Sequence, residues 1–85
     1  MNRFTVTWTQ NALDQLAELW IGTTDRESLT RAANRIDEEL AVDPHDKGAG
    51  LHEGLRSLER PPLRVIYEVV QGDRVVEIGA VRRIN

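Results

Sequence analysis

The sequence predicts an α+β fold: a small β-α-α-β-β-β domain, an antiparallel sheet with an αα-hairpin packed on one face. Three observations carry this. Apolar and polar residues alternate with a period of two near residues 4–8, 63–70 and 75–83, the spacing that strands impose. Between the first two of these, apolar residues recur twice at spacings of three and four, as a helix presents them. Turn-forming residues separate the segments, and the 85 residues are expected to make one domain, 1–85.

Taken in order, Phe4, Val6 and Trp8 alternate with Arg3, Thr5 and Thr7, which reads as a short strand with one apolar face. Thr9 follows as an N-cap, its hydroxyl placed to accept from an unpaired amide of the first helical turn. Leu13, Leu16, Ala17 and Trp20 then form a stripe expected to face the core, and Gly22 offers a left-handed C-cap. Thr24 to Glu27 has the T-x-x-E form of a capping box, so a second helix is expected to start there. Its stripe is Leu29, Ala32, Ala33, Ile36 and Leu40, and Pro44 requires it to end by about Asp43.

Residues 43–50, DPHDKGAG, have a loop composition with two glycines in three positions, and the expectation is a mobile hinge or lid. From Gly54 to Val70 two strands join at Pro61-Pro62; Leu63, Val65, Tyr67 and Val69 share one face, which assigns Tyr67 to the core. Gln71-Gly72-Asp73 is a turn signal. The last strand, Val75 to Arg83, is expected to place Val76, Ile78 and Ala80 on one face, with Gly79 marking a bulge or a close approach.

Composition narrows function. Cysteine is absent, which removes disulfides and thiolate metal sites and fits a reducing, cytoplasmic setting. No apolar run approaches the roughly 20 residues of a membrane helix. The net charge of −3 argues against a general nucleic-acid binder. The acid excess lies in residues 1–42, with seven Asp/Glu against four Lys/Arg; residues 43–85 carry seven of each, leaving room for a locally basic sheet face. His45 and His52 lack helical metal-ligand spacing, so neither a metal nor another cofactor is expected.

The element order, Leu55-Arg56, the strand Leu63-Arg64-Val65-Ile66-Tyr67-Glu68-Val69 and the ending Ala80-Val81-Arg82-Arg83 together resemble the RelE/ParE superfamily of bacterial toxins over nearly the whole chain. The resemblance implies the toxin of a type II toxin-antitoxin module, with a cognate antitoxin as partner. RelE-like members are metal-independent endoribonucleases that cut messenger RNA on the ribosome; ParE-like members poison DNA gyrase. On the RelE pattern Arg64 and Arg83 would hold the phosphate, with Arg56 and Arg82 supporting them. His52 would be the proton-transfer group. The two lysines of that pattern fall at His52 and Gly54, and no tyrosine follows Arg83.

The ribonuclease is the leading expectation, with a gyrase inhibitor and a non-toxic antitoxin-binding homologue as alternatives. Arginine suits phosphate because its planar fork makes two parallel bonds and keeps its charge. Arg56 and Arg64 also have a structural alternative, pairing with Glu53, Glu59, Glu68 or Glu77 across neighbouring strands, and the alternative for Arg82 and Arg83 is to be solvated at the end of the last strand. Trp8 and Trp20 are core residues or anchors for a partner.

Overall fold

The computed structural model describes residues 3–84. In chain order the elements are β1 (Thr5–Trp8), α1 (Gln10–Ile21), α2 (Arg26–Leu40), β2 (Ala49–Gly50), β3 (Leu55–Arg60), β4 (Leu63–Val70) and β5 (Val75–Arg83). The five strands lie in the order β1-β5-β4-β3-β2. All pairings are antiparallel except β1 with β5, which is parallel, so the sheet is mixed where the sequence suggested a purely antiparallel one. The parallel pair arises because the chain returns to β1 only after both helices and three strands.

The core lies between the helices and one sheet face. Leu29, Ala32, Ile36 and Leu40 of α2 meet Leu58, Leu63, Val65, Tyr67, Val76, Ile78 and Val81, all buried. The α2 stripe and the placement of Tyr67 therefore follow the sequence reading. Thr9 caps α1 as expected, accepting from the Ala12 amide at 3.2 Å. The cap of α2 is not Thr24 but Asp25, whose carboxylate accepts from the Ser28 amide and hydroxyl at 3.2 and 2.7 Å. Those two bonds hold the Asp25 carboxyl below its ordinary range. Gly22 ends α1 with φ −83°, not in the left-handed region.

The α1 stripe departs from expectation. Only Ala12 of this helix is fully buried, while Leu13, Trp20 and Ile21 are 45, 39 and 75 % exposed. The cause lies in β5. Strand β1 pairs with residues 75–78 only, and the outer edge of residues 79–83 would be left without partners. Helix α1 covers that edge with polar side chains: Asn11 Nδ2 donates to the Gly79 carbonyl at 3.0 Å, and Gln15 Oε1 accepts from the Val81 amide at 2.8 Å. Buried backbone groups require such partners. The face carrying Asn11 and Gln15 is thus turned toward the strand, which rotates Leu13, Ala17 and Trp20 outward.

The segment 43–50 is not a lid. Pro44 is buried, and a short 3-10 turn spans Pro44–Asp46. The Tyr67 hydroxyl lies 2.8 Å from the Pro44 carbonyl and 2.7 Å from that of Lys47, and its one proton serves either. Arg56 donates to the Lys47 carbonyl through Nε at 3.1 Å and Nη2 at 2.9 Å. Gly48, at φ +64°, presses so close to β3 that an added Cβ would lie 1.9 Å from the Ser57 carbonyl oxygen. Composition signalled a loop; what fastens it comes from strands remote in sequence.

Candidate functional site

The bulge in β5 decides which arginines meet. Ile66 pairs with Ala80 but Tyr67 pairs with Ile78, so Gly79 is the extra residue, as its place in the sequence suggested. The bulge reverses the alternation beyond it. Val76 and Ile78 point to the core, and after Gly79 it is Val81, not Ala80, that is buried. Arg82 therefore falls on the outer face directly opposite Arg64.

Arg64 and Arg82 line an open cavity of about 210 Å³ with Gln15, Glu18 and Leu19 of α1 and Ile66 and Ala80 of the sheet. The Arg64 Nε atom is buried without a hydrogen-bond partner, and the nearest carboxylate oxygen, of Glu59, is 4.0 Å away. Its charge is thus only weakly compensated within the protein. Arg83 also borders the cavity, but its Nη1 is turned to the Thr23 hydroxyl at 3.0 Å.

The other two expected site residues stand apart. Arg56 is opposite Tyr67 in the β3–β4 register, three residues along β4 from Arg64, and so projects from the helix-bearing face. Its guanidinium is committed to the Lys47 carbonyl. His52 is exposed in the tight turn between β2 and β3, closed by the Leu51 amide donating to the Leu55 carbonyl at 2.7 Å. Arg64 faces Glu59 at the far end of β3, and from Leu55 to Glu59 is about 13 Å of strand. Of the expected site residues Arg56, Arg64, Arg82, Arg83 and His52, the fold brings together Arg64 and Arg82 with Arg83 at their margin, and leaves Arg56 and His52 apart.

What the sequence did not indicate is the share α1 takes in the cavity, through Gln15, Glu18 and Leu19. Nor did it reveal Arg60, whose fork grips Glu39 of α2, with Nε to Oε2 at 2.6 Å and Nη2 to Oε1. That hydrogen-bonded fork holds the Glu39 carboxyl below its ordinary range, against the upward pull of partial burial. Burial pushes the Tyr67 phenol up, and nearby Arg56 opposes it. Among the described residues no three His, Asp or Glu side chains are grouped to hold a metal ion.

The model of the ParE toxin of the type II toxin-antitoxin system parDE matches residues 6–83. This chain belongs to the ParE toxin family. Solved structures agree in fold. The RelBE2 toxin-antitoxin complex from Mycobacterium tuberculosis is similar at 22 % identity and a TM-score of 0.81, covering 98 % of this chain and 93 % of that one. A chain of the chromosomal ParDE system from P. aeruginosa is similar at 20 % identity and a TM-score of 0.66, with both chains covered in full. The isolated E. coli RelE toxin follows at 21 % identity and a TM-score of 0.58, covering 98 % and 85 %. No curated protein matches the sequence. The chain thus has the RelE/ParE-like α+β fold, and no helix among its described residues is long and apolar enough to cross a membrane.

Proposed function

We propose that this ParE-family toxin acts in the bacterial cytoplasm by binding and blocking DNA gyrase, without cutting RNA. The observation that carries the reading is the separation of the groups a ribonuclease would need together. Cleavage of RNA by its own 2′-hydroxyl needs a base, an acid and a phosphate clamp within hydrogen-bond reach of one another. His52 lies at the opposite end of β3 from Arg64, and Arg56 is held on the other face of the sheet by the Lys47 carbonyl. Inhibition by binding requires no acid–base pair, and the match to the ParE model supports it.

A cognate antitoxin is the second partner in this reading. The outer face of α1, where Leu13, Leu16, Ala17, Trp20 and Ile21 border a shallow apolar groove, suits the apolar side of an antitoxin helix. The ribosome-dependent nuclease is the alternative, favoured by one observation: Arg64 and Arg82 stand side by side on an open surface, as a phosphate clamp would require.

Regulated expression of the chain in bacteria, with Arg64→Ala alongside, separates these readings. Double-strand DNA breaks that depend on gyrase, and loss of supercoiling by purified gyrase when the protein is added, are expected. New cuts within translated codons of messages would replace the proposal with the nuclease. Normal growth and intact DNA would leave a non-toxic, antitoxin-binding homologue.

A further inference from the structure

The outer face of the sheet carries its charges in like-signed pairs. Arg64 on β4 stands directly opposite Arg82 on β5, and Glu68 stands directly opposite Glu77 on the same two strands. Like charges in such positions destabilise a sheet, and exchanging Glu77 with Arg82 would have made both pairs favourable. Between the pairs lies an uncharged row, Ser57, Ile66 and Ala80. About 13 Å of strand separates Arg64 from Glu68. The bulge at Gly79 keeps the pairs level, because Arg82 and Glu77 are one residue further apart in sequence than Arg64 and Glu68. Glu68, Glu77 and Arg82 are exposed, and among the described residues none of the three lies within ion-pair distance of an opposite charge. Arg64 reaches only Glu59, at 4.0 Å, and Glu18 borders the cavity beyond ion-pair distance. Arg83 is turned away toward Thr23 and Asp25. The turn beyond the glutamates adds one charge of each sign, Asp73 and Arg74.

We propose that this face binds a second copy of the chain, in a two-fold dimer whose axis runs across the strands along the Ser57–Ile66–Ala80 row. That rotation lays β4 over β4 and β5 over β5 of the second copy with their directions reversed. Arg64 then meets Glu68 of the second copy and Arg82 meets its Glu77, and the two reciprocal contacts follow by symmetry. The arrangement complements itself under a single rotation, which is the requirement of a contact between identical surfaces. Every like-signed pair that costs the lone chain stability is thereby answered by opposite charge. The uncharged row meets its own copy, and Glu59 falls over Leu55, so no like charges are opposed. Sheets stacked face to face lie about 10 Å apart, a gap that arginine and glutamate side chains reaching from both sides can close. A patch three strands wide is small beside a standard interface, so the dimer is weak and reversible. It covers the Arg64–Arg82 cavity, and its formation does not depend on which target the toxin inhibits.

The test is sedimentation equilibrium of the full chain over a concentration series at low and high salt. A monomer–dimer equilibrium with a dissociation constant on the order of 100 μM, weakened several-fold by salt, is expected. Arg82→Glu and Glu77→Arg, both at exposed positions, should each abolish self-association by setting like charges across the interface. Mixing the two variants should restore a dimer, because each then meets its opposite in the other. Both variants keep a net negative charge, as the parent does at −3, so attraction between them must be local. A second measurement needs no charge reversal. The chain has no cysteine, so Ile66→Cys places its one thiol on the axis, where a short bismaleimide should link two copies; Arg31→Cys on α2 should stay unlinked. A parent that stays monomeric at all concentrations, or folded variants whose mixture does not associate, would overturn the proposal. So would a dimer that ignores salt and is lost with Trp20→Ala, which would place the contact on α1, or a face that is protected only when the cognate antitoxin is present.

Discussion

Arg56 and Tyr67 converge on a single carbonyl oxygen, that of Lys47, from adjacent strands that pair them side by side. Arg56 is one of the arginines that sequence resemblance places in the site, and the geometry gives it a different task. It fastens the segment between α2 and β2 onto the sheet. Arg56→Ala should therefore lower stability by about 1–3 kcal/mol, the range for hydrogen bonds from a charged donor. Tyr67→Phe should cost about 1–2 kcal/mol by leaving buried carbonyls short of a partner. Urea unfolding of both variants checks this. An Arg56→Ala protein as stable as the parent, yet non-toxic, would return the residue to the functional site.

Gly48 and Gly54 both hold positive φ, at +64° and +79°, but only one is enclosed. A Cβ at Gly48 would overlap the Ser57 carbonyl, whereas at Gly54 nothing lies within 4 Å. Gly54→Ala should cost about 1 kcal/mol, the penalty of the left-handed conformation alone. Gly48→Ala should cost about 3 kcal/mol or more, because backbone must move. Equal midpoints in a denaturant series would contradict the arrangement of the 43–50 segment.

Glu39 links α2 to β3 through Arg60, and its carboxyl is held below the ordinary value of 4.5. A carboxyl with a depressed pKa in the folded state contributes stability that is present above its unfolded pKa and lost as pH falls through the folded one. Thermal stability should thus fall as pH drops below about 4.5, and Glu39→Gln should flatten part of that fall while lowering stability at neutral pH. If the variant keeps the parent's acid profile unchanged, the fall belongs to other carboxylates.

The fold was legible where a residue's own spacing decides its environment. The stripe from Leu29 to Leu40 and the alternation around Tyr67 needed no tertiary information. Face assignments failed where a distant element intervened. The bulge at Gly79 was signalled, but its consequence, that Arg82 joins Arg64 while Arg83 turns to Thr23, depends on counting one residue differently after it. The α1 stripe was misjudged because its orientation is set by the edge of a strand 66 residues away, where the Val81 amide needs Gln15. Site residues on separate elements suffer most from such shifts, so Arg64 and Arg82 were brought together while Arg56 and His52 were not.

Trp20 and Ile21 remain exposed on α1, and Arg26 lies over the indole at 5.7 Å with its Nε donating to the Trp20 carbonyl at 3.1 Å. This holds the ring in place on the surface, as a preorganised anchor would be. Trp20→Ala should change stability by less than about 1 kcal/mol yet weaken binding of the cognate antitoxin by 2 kcal/mol or more, about thirtyfold. Paired unfolding and binding measurements decide it. A large loss of stability would instead make Trp20 part of the α1–α2 packing.

Arg64 offers the sharpest contrast between stability and activity. Its Nε is buried without a partner and Glu59 stands at the limit of ion-pair distance, so the protein gains little from its charge. A weakly paired, partly buried cation is costly to keep unless something outside the chain uses it. Arg64→Ala should leave thermal stability within about 1 kcal/mol of the parent, or raise it, because desolvation is relieved. Toxicity should nonetheless fall about tenfold or more, with Arg82→Ala acting in the same direction, since the two present one surface. Arg60→Ala is the control: it should unfold more readily, because it leaves Glu39 partly buried without its fork. Growth assays beside melting curves for the three variants distinguish the roles, and an Arg64→Ala protein that melts as early as Arg60→Ala would make Arg64 a structural residue.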